Sequence, residues 1–147
     1  MSAIVPGQTF GAFAIERVVG VGGMGVVYRA RDTSRGHLVA LKVLRSRDGA
    51  PPTDEERARF VREARLAAGL VHPNIVSIVA SGAVGTVPYI AMEWIEGVTL
   101  AERTVDPAFG LAARLDVLAG VADALAYAHL HSVVHRDLKP SNVMLDG

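Results

Sequence analysis

His135-Arg136-Asp137-Leu138-Lys139-Pro140-Ser141-Asn142 is the stretch on which the reading of this 147-residue chain turns. Asp137 can accept, or orient, the proton of an attacking hydroxyl as charge develops. Lys139 can stabilise a transferring phosphoryl group electrostatically. Asn142 offers a hard oxygen ligand of the kind Mg²⁺ takes. Singly, each has an ordinary explanation: a turn aspartate, a surface lysine, a strand-edge asparagine. Matched together in order, the residues read as a loop for phosphoryl transfer to a hydroxyl.

The composition around this loop narrows the alternatives. The length is that of one ordinary domain, and half the residues are apolar, enough to build a core. Fifteen basic residues balance fifteen acidic ones. With no long like-charge block, the chain is not expected to bind nucleic acid or an anionic membrane surface. The absence of cysteine excludes disulfides, thiolate catalysis and zinc–thiolate sites. His129, His131 and His135 lie close in sequence but lack a third-ligand pattern, so ordinary helix-end and loop histidines are expected. The opening MSAIVPGQTF has no basic n-region or apolar h-region, and the best apolar run, VLAGVADALAYA, is short and contains Asp123. The expected location is cytoplasmic, with no membrane segment in this chain.

Working back towards the N-terminus, the first half reads as strands. Phe13 to Val19 alternates, meets Gly20-Val21-Gly22-Gly23-Met24-Gly25, and Val26 to Arg31 is again extended, which predicts a hairpin. His37 to Leu44 is a third, aliphatic strand. Thr53-Asp54-Glu55-Glu56 fits a capping box that starts a helix running to about Ala68, with Phe60, Ala64 and Ala67 on one face and Gly69 as the stop. Ile75 to Ala80 and Val87 to Trp94 predict two more strands. Beyond a boundary between Glu93 and Val98 the pattern is helical. Leu111, Leu115, Leu118, Ala122 and Leu125 line one stripe, too brief for a coiled coil and read as a core face. Asn142-Val143-Met144-Leu145 begins a strand without a visible partner.

The glycine run is a weak signal alone, since G-x-G-x-x-G also marks dinucleotide-binding folds. Those need a helix starting at the third glycine, so that its N-terminus meets the pyrophosphate. Here Gly25 leads into Val26-Val27-Tyr28, which is strand-like. A glycine hairpin over a triphosphate and a plain tight turn remain the two readings. Lys42, among apolar neighbours in Val39-Ala40-Leu41-Lys42, is costly to bury unless paired. Glu63 on the helix is its expected partner, against the plainer alternatives of a snorkelling lysine and a solvated glutamate.

Taken in order, these motifs resemble the serine/threonine protein kinases, specifically the eukaryote-like kinases of bacteria. The resemblance rests on the glycine loop with Val27, the V-A-L-K lysine, the helix glutamate, the His72-Pro73-Asn74-Ile75-Val76 turn and the H-R-D-L-x-x-x-N loop. Lys139-Pro140 is similar to the serine/threonine class, not the tyrosine class. The resemblance implies ATP and Mg²⁺ as cofactors and proteins bearing Ser or Thr as substrates. It implies that Val19, Val27 and Ala40 cover the adenine, with Met144 beneath. Met92 would be the gatekeeper, and the backbones of Glu93 and Ile95 would meet the adenine edge. Gly20 to Val26 would cover the phosphates, including Val21, Gly22, Gly23, Met24 and Gly25. Lys42 would reach the α/β-phosphates and pair with Glu63. Asp137 would be the catalytic base, Lys139 a γ-phosphate contact and Asn142 a magnesium ligand. Arg136 resembles the class switched by activation-loop phosphorylation, and Leu41 replaces the commoner isoleucine.

The implied fold class is α+β: a kinase-like N-lobe over residues 1–97, with a five-stranded antiparallel sheet and one helix, then the first, incomplete part of a helical C-lobe over 98–147. The family's D-F-G segment, whose aspartate is its main magnesium ligand, would lie beyond Gly147, which is expected of an N-terminal fragment of such a kinase. The 147 residues alone are accordingly expected to give no measurable transfer to a generic basic protein. Two alternatives stand beside this: a non-catalytic nucleotide-binding or interaction module partnering another kinase, and a small-molecule kinase of related fold, which the R-D-L-K-P sequence disfavours.

Overall fold

The structure, a computed structural model, describes residues 4–23, 25–45 and 51–146. The chain divides into two compact units: Met1–Gly69 with Ser77–Trp94, and Leu70–Val76 with Ile95–Gly147.

The first unit is built on one sheet. Its strands are β1 (Thr9–Phe10), β2 (Phe13–Gly22), β3 (Gly25–Asp32), β4 (Leu38–Leu44), β5 (Ile78–Val84) and β6 (Val87–Glu93), in the order β1-β2-β3-β4-β6-β5 and antiparallel throughout. All five expected strands are present, and the two-residue β1 adds a sixth at the edge. One boundary differs from expectation. β5 begins at Ile78 because the Ile75 N–H bonds the His72 carbonyl in a turn. It then runs on through Ser81 and Gly82, where β6 supplies the ladder and the Tyr89 ring covers the space a side chain at Gly82 would take.

Side-chain alternation splits the sheet into two faces. Phe13, Ile15, Val26, Tyr28, Ala30, Val39, Leu41 and Val43 turn to one side and form the main core, with Tyr89 meeting the Phe13 ring edge-on at 5.2 Å. On the other side Leu44 and Ile90 pack with Phe60 and Ala64 of α1 (Asp54–Ala68). This helix starts where the capping box places it. The Glu56 N–H donates to the Thr53 hydroxyl, and the Glu56 carboxylate accepts from the Thr53 N–H at 2.7 Å. It ends at Gly69, which stays right-handed at φ −82°, so no left-handed cap is used.

In the second unit, β7 (Gly97–Thr99) leads into the single turn α2 (Leu100–Arg103), followed by α3 (Leu111–Leu130). A 3₁₀ turn at Pro140–Asn142 precedes β8 (Met144–Asp146). Here the structure corrects an expectation. The C-terminal strand starts at Met144, not Asn142, and it has a partner: β8 pairs antiparallel with β7, Val98 opposite Leu145. The pairing is close enough that a Cβ at Gly97 would collide with the Leu145 carbonyl, so glycine is required there. The leucine stripe is also placed differently. Leu111, Leu115 and Leu118 are 73%, 56% and 56% exposed, and Ala128 is the residue α3 buries.

The Leu70–Val76 segment is tied to α3 by polar contacts. His72 Nε2 lies 3.1 Å from Asp123 Oδ2, Asn74 Nδ2 donates to the Gly120 carbonyl at 3.3 Å, and the His72 ring stacks obliquely on Tyr127. Among the described residues no helix is long and apolar enough to cross a membrane.

Candidate active site

In the first unit, strand register gathers several of the predicted nucleotide contacts. Val27 lies opposite Lys42, and Lys42 opposite Ile90. One rung along, Ala40 lies opposite Met92. Cross-strand partners share a face, so Val27, Ala40, Lys42 and Met92 stand together on the face that α1 covers in part. Val26 turns the other way and is buried in the core, leaving its backbone as what it can offer a ligand. Val19 is exposed: the register slips there, so Val18 pairs with Tyr28 and Gly20 with Val27. A bulge re-aims the side chain it displaces.

Gly25 is strand, as the hairpin reading requires, and Gly22 faces Gly25 at the hairpin end. Gly25 has φ +151°, and a Cβ there would strike the Val43 carbonyl oxygen. Gly20 has nothing within 4 Å of where its Cβ would stand. The glycines therefore do two jobs, close packing at Gly25 and an open backbone at Gly20. Val21 is exposed, as is Gly23; Met24 lies outside the described residues. The Glu93 N–H is committed to the Ser77 carbonyl at 2.9 Å, and its carboxylate accepts from the Ser77 N–H at 2.7 Å. Its carbonyl is what remains for an edge-on ligand.

The expected Lys42–Glu63 ion pair is not formed. Among the described residues no ion pair joins them, and Glu63 is exposed. The half-buried Lys42 ammonium stands 5.8 Å from the centroid of the Phe60 ring. Phe60, 2% exposed, occupies the side of α1 that packs on the sheet, and the ring face offers the ammonium a cation–π contact in place of a carboxylate.

In the second unit the H-R-D loop closes on itself. Arg136 has φ +61°, which turns the chain so that the Asp137 N–H reaches the His135 carbonyl at 2.8 Å. Asp137 then faces two donors. Lys139 Nζ is 3.1 Å from Oδ2, and Asn142 Nδ2 donates to Oδ2 at 3.2 Å and to the Asp137 carbonyl at 2.7 Å. The Lys139 hydrogen bond, then that of Asn142, holds the Asp137 carboxyl below the usual carboxylate range, with the charges of Lys139 and His135 adding to the effect. With its amide nitrogen turned to Asp137, Asn142 keeps its amide oxygen as an acceptor. The loop is anchored behind: the Leu100 N–H donates to the Val143 carbonyl at 2.8 Å, and Met144 in β8 pairs with Thr99. Ile95 is half-buried in the same unit, and Met144 is 38% exposed.

The residues that position this loop were less visible in the sequence than the loop itself. Thr99-Leu100-Ala101-Glu102 is a second capping box of the same T-x-x-E form, with the Thr99 N–H donating to the Glu102 carboxylate at 2.7 Å. That spacing was there to be found. The pairing of Asp123 with His72 carries no such local signal.

Comparison with known proteins gives these motifs a context. The protein kinase domain family matches residues 13–147. The serine/threonine-protein kinase PknJ of Mycobacterium tuberculosis is 43% identical over 142 residues, covering 95% of this chain and 23% of that protein. PrkC of Bacillus subtilis, also named a serine/threonine-protein kinase, is 42% identical over 137 residues, covering 92% and 21%. The chain thus spans less than a quarter of the length of these relatives. Among solved structures, the PknI kinase domain of M. tuberculosis superposes with a TM-score of 0.80 at 35% identity, covering 98% of this chain and 58% of that one.

Proposed function

Because this chain belongs to the protein kinase domain family, we propose that it supplies the ATP-binding and hydroxyl-activating parts of a serine/threonine protein kinase. The observation that carries this reading is the constellation Lys139–Asp137–Asn142, in which one carboxylate is held ionised by two donors within a single loop.

In this reading the γ-phosphorus of ATP gains a bond to a Ser or Thr hydroxyl oxygen and loses its bond to the β–γ bridging oxygen, which leaves with ADP. Asp137 receives the hydroxyl proton. A carboxyl held low is a weak base, so it first orients the hydroxyl and takes the proton late, as the new bond forms. Lys139 neutralises charge on the transferring group. Within the first unit Val19, Val27 and Ala40 would cover the adenine, with Met92 as gatekeeper and the Glu93 carbonyl at its edge; the adenine contacts expected of Ile95 and Met144 rest on the family resemblance alone. Gly20 to Gly25 present backbone N–H groups to the phosphates, and Lys42 reaches them from β4. Asn142, whose amide oxygen is left as an acceptor, would offer one hard oxygen ligand to a magnesium ion. Bound there, Mg²⁺ would supply charge neutralisation at the phosphates.

The test is a graft. Residues 13–146 would replace the matching segment of PknJ, and label from γ-labelled ATP would be followed into a Ser/Thr-bearing protein. Label on phosphoserine or phosphothreonine, lost in Asp137→Asn, supports the reading. Label that persists in Asp137→Asn would contradict it. One observation favours a second reading. Lys42 rests on Phe60 and not on Glu63, an arrangement that also suits a module binding nucleotide without transfer. That reading predicts a graft that binds ATP and transfers nothing.

A further inference from the structure

The face that carries Ala40 and Met92 continues across the sheet into a feature the nucleotide reading leaves unused. Arg17 lies opposite Arg29, Arg29 opposite Ala40, and Ala40 opposite Met92, so one rung crosses four strands. Arg17 reaches this rung only through a bulge. The register slips at Glu16, between Ile15 and Arg17. In an unbroken strand, residues two apart share a face, and Arg17 would have followed Ile15 towards the core. The displaced Glu16 then serves as counter-ion, with Oε2 at 3.4 Å from Arg29 Nε and Oε1 at 3.0 Å from Arg31 Nη2.

Trp94 stands at the end of this rung, two residues past Met92 and one past Glu93. Both guanidinium groups lie against its ring, Arg17 Cζ at 5.6 Å from the centroid and Arg29 Cζ at 5.3 Å. Each distance is within the range where the ring quadrupole attracts a cation. Arg29 Nε is buried without an aligned hydrogen bond, so the Glu16 carboxylate and the indole are what compensate its charge.

We infer that the Arg17–Trp94–Arg29 stack is a positioning clamp for nucleotide binding, holding the strand end that carries Glu93 against the β2–β3 hairpin. The inference rests on the nucleotide reading above. Glu93 offers its carbonyl to an adenine edge, and Val19 and Val27 on the hairpin cover the ring. A clamp joining the two fixes the distance between the edge contact and the cover. Trp94, Arg17 and Arg29 touch no ligand in this scheme and act through Glu93 and Val19.

Trp94 is the single tryptophan of the chain, which provides a reporter for the stack itself. Arg17→Ala and Arg29→Ala are compared with the wild-type chain and with Arg35→Ala as a surface-charge control. First, acrylamide quenching of Trp94 is expected to rise in both variants and not in the control. Unchanged quenching overturns the clamp. Second, ADP affinity is expected to fall about fivefold when Arg17→Ala and Arg29→Ala are combined in one chain, the size of one to two cation–π contacts. Inorganic tripolyphosphate, held through Lys42 and the glycine backbone, should bind as before. Lysine at both positions should restore part of the loss, since it keeps the cation. An equal loss for ADP and tripolyphosphate would mean general loosening and would overturn the positioning role. A wild-type chain that binds no ADP would overturn the nucleotide reading and the positioning role together, while the quenching result would still decide whether the stack exists.

Discussion

Asn142 holds Asp137 twice, donating from one amide nitrogen to the main-chain carbonyl at 2.7 Å and to the carboxylate at 3.2 Å. The fork fixes the aspartate side chain relative to its own backbone, and Lys139 Nζ lies 3.1 Å from the same oxygen. Removing either donor should let the Asp137 carboxyl titrate closer to the ordinary aspartate value. Lys139→Ala should move it more than Asn142→Ala, because the lysine is the larger cause. Carboxyl-carbon NMR titration of the three proteins reads this directly. An Asp137 that titrates identically in all three would contradict the geometry.

The same depression sets a pH dependence for the loop. The folded Asp137 binds its proton less readily than an unfolded aspartate does, so ionisation favours the closed loop. That contribution is present above the ordinary aspartate range and is lost as pH falls through the lowered folded value. Hydrogen exchange at the Asn142 amide, which bonds the Lys139 carbonyl at 2.9 Å, should therefore accelerate in acid beyond the intrinsic pH dependence. In Asp137→Asn that extra acceleration should vanish.

Two glycines of one motif should respond differently to alanine. Gly25→Ala places a Cβ against the Val43 carbonyl at φ +151° and should destabilise the first unit by more than about 1 kcal/mol. Gly20→Ala meets open space and should leave the denaturation midpoint nearly unchanged, affecting ligand approach instead. Urea unfolding and ADP binding measured on both variants separate the two roles.

Phe60 is the side chain through which α1 holds the sheet, and Phe60→Ala should cost about 3–5 kcal/mol. Thr53→Ala, which removes the N-cap hydroxyl of the same helix, should cost about 1 kcal/mol. Denaturant unfolding checks both. A Phe60→Ala variant as stable as the Thr53→Ala one would contradict the packing described for α1.

Much of this was legible in the sequence where the signal is local. The Gly25-Val26-Val27 continuation excluded a helix after the glycines, the T-x-x-E spacing placed the start of α1, and eight ordered residues announced the H-R-D loop. What escaped depends on partners distant along the chain. Val98 and Leu145 meet across nearly fifty intervening residues, so neither segment signals the pairing. Lys42 and Glu63 each fit their motif, but the ammonium stands over the Phe60 ring, a tertiary contact that neither motif signals. The bulge at Glu16, which turns Arg17 onto the face that carries Ala40 and Met92, depends on the register between β2 and β3, and local alternation cannot show it.

The most direct test of the account is calorimetric titration of the 147-residue chain with ATP, with and without Mg²⁺, beside Lys42→Ala. Saturable binding is expected, strengthened by Mg²⁺ and weakened by about tenfold or more in Lys42→Ala, the loss of a hydrogen bond to a charged group. A chain that binds no ATP at millimolar concentration, or binds it equally well without Mg²⁺ and without Lys42, would contradict it.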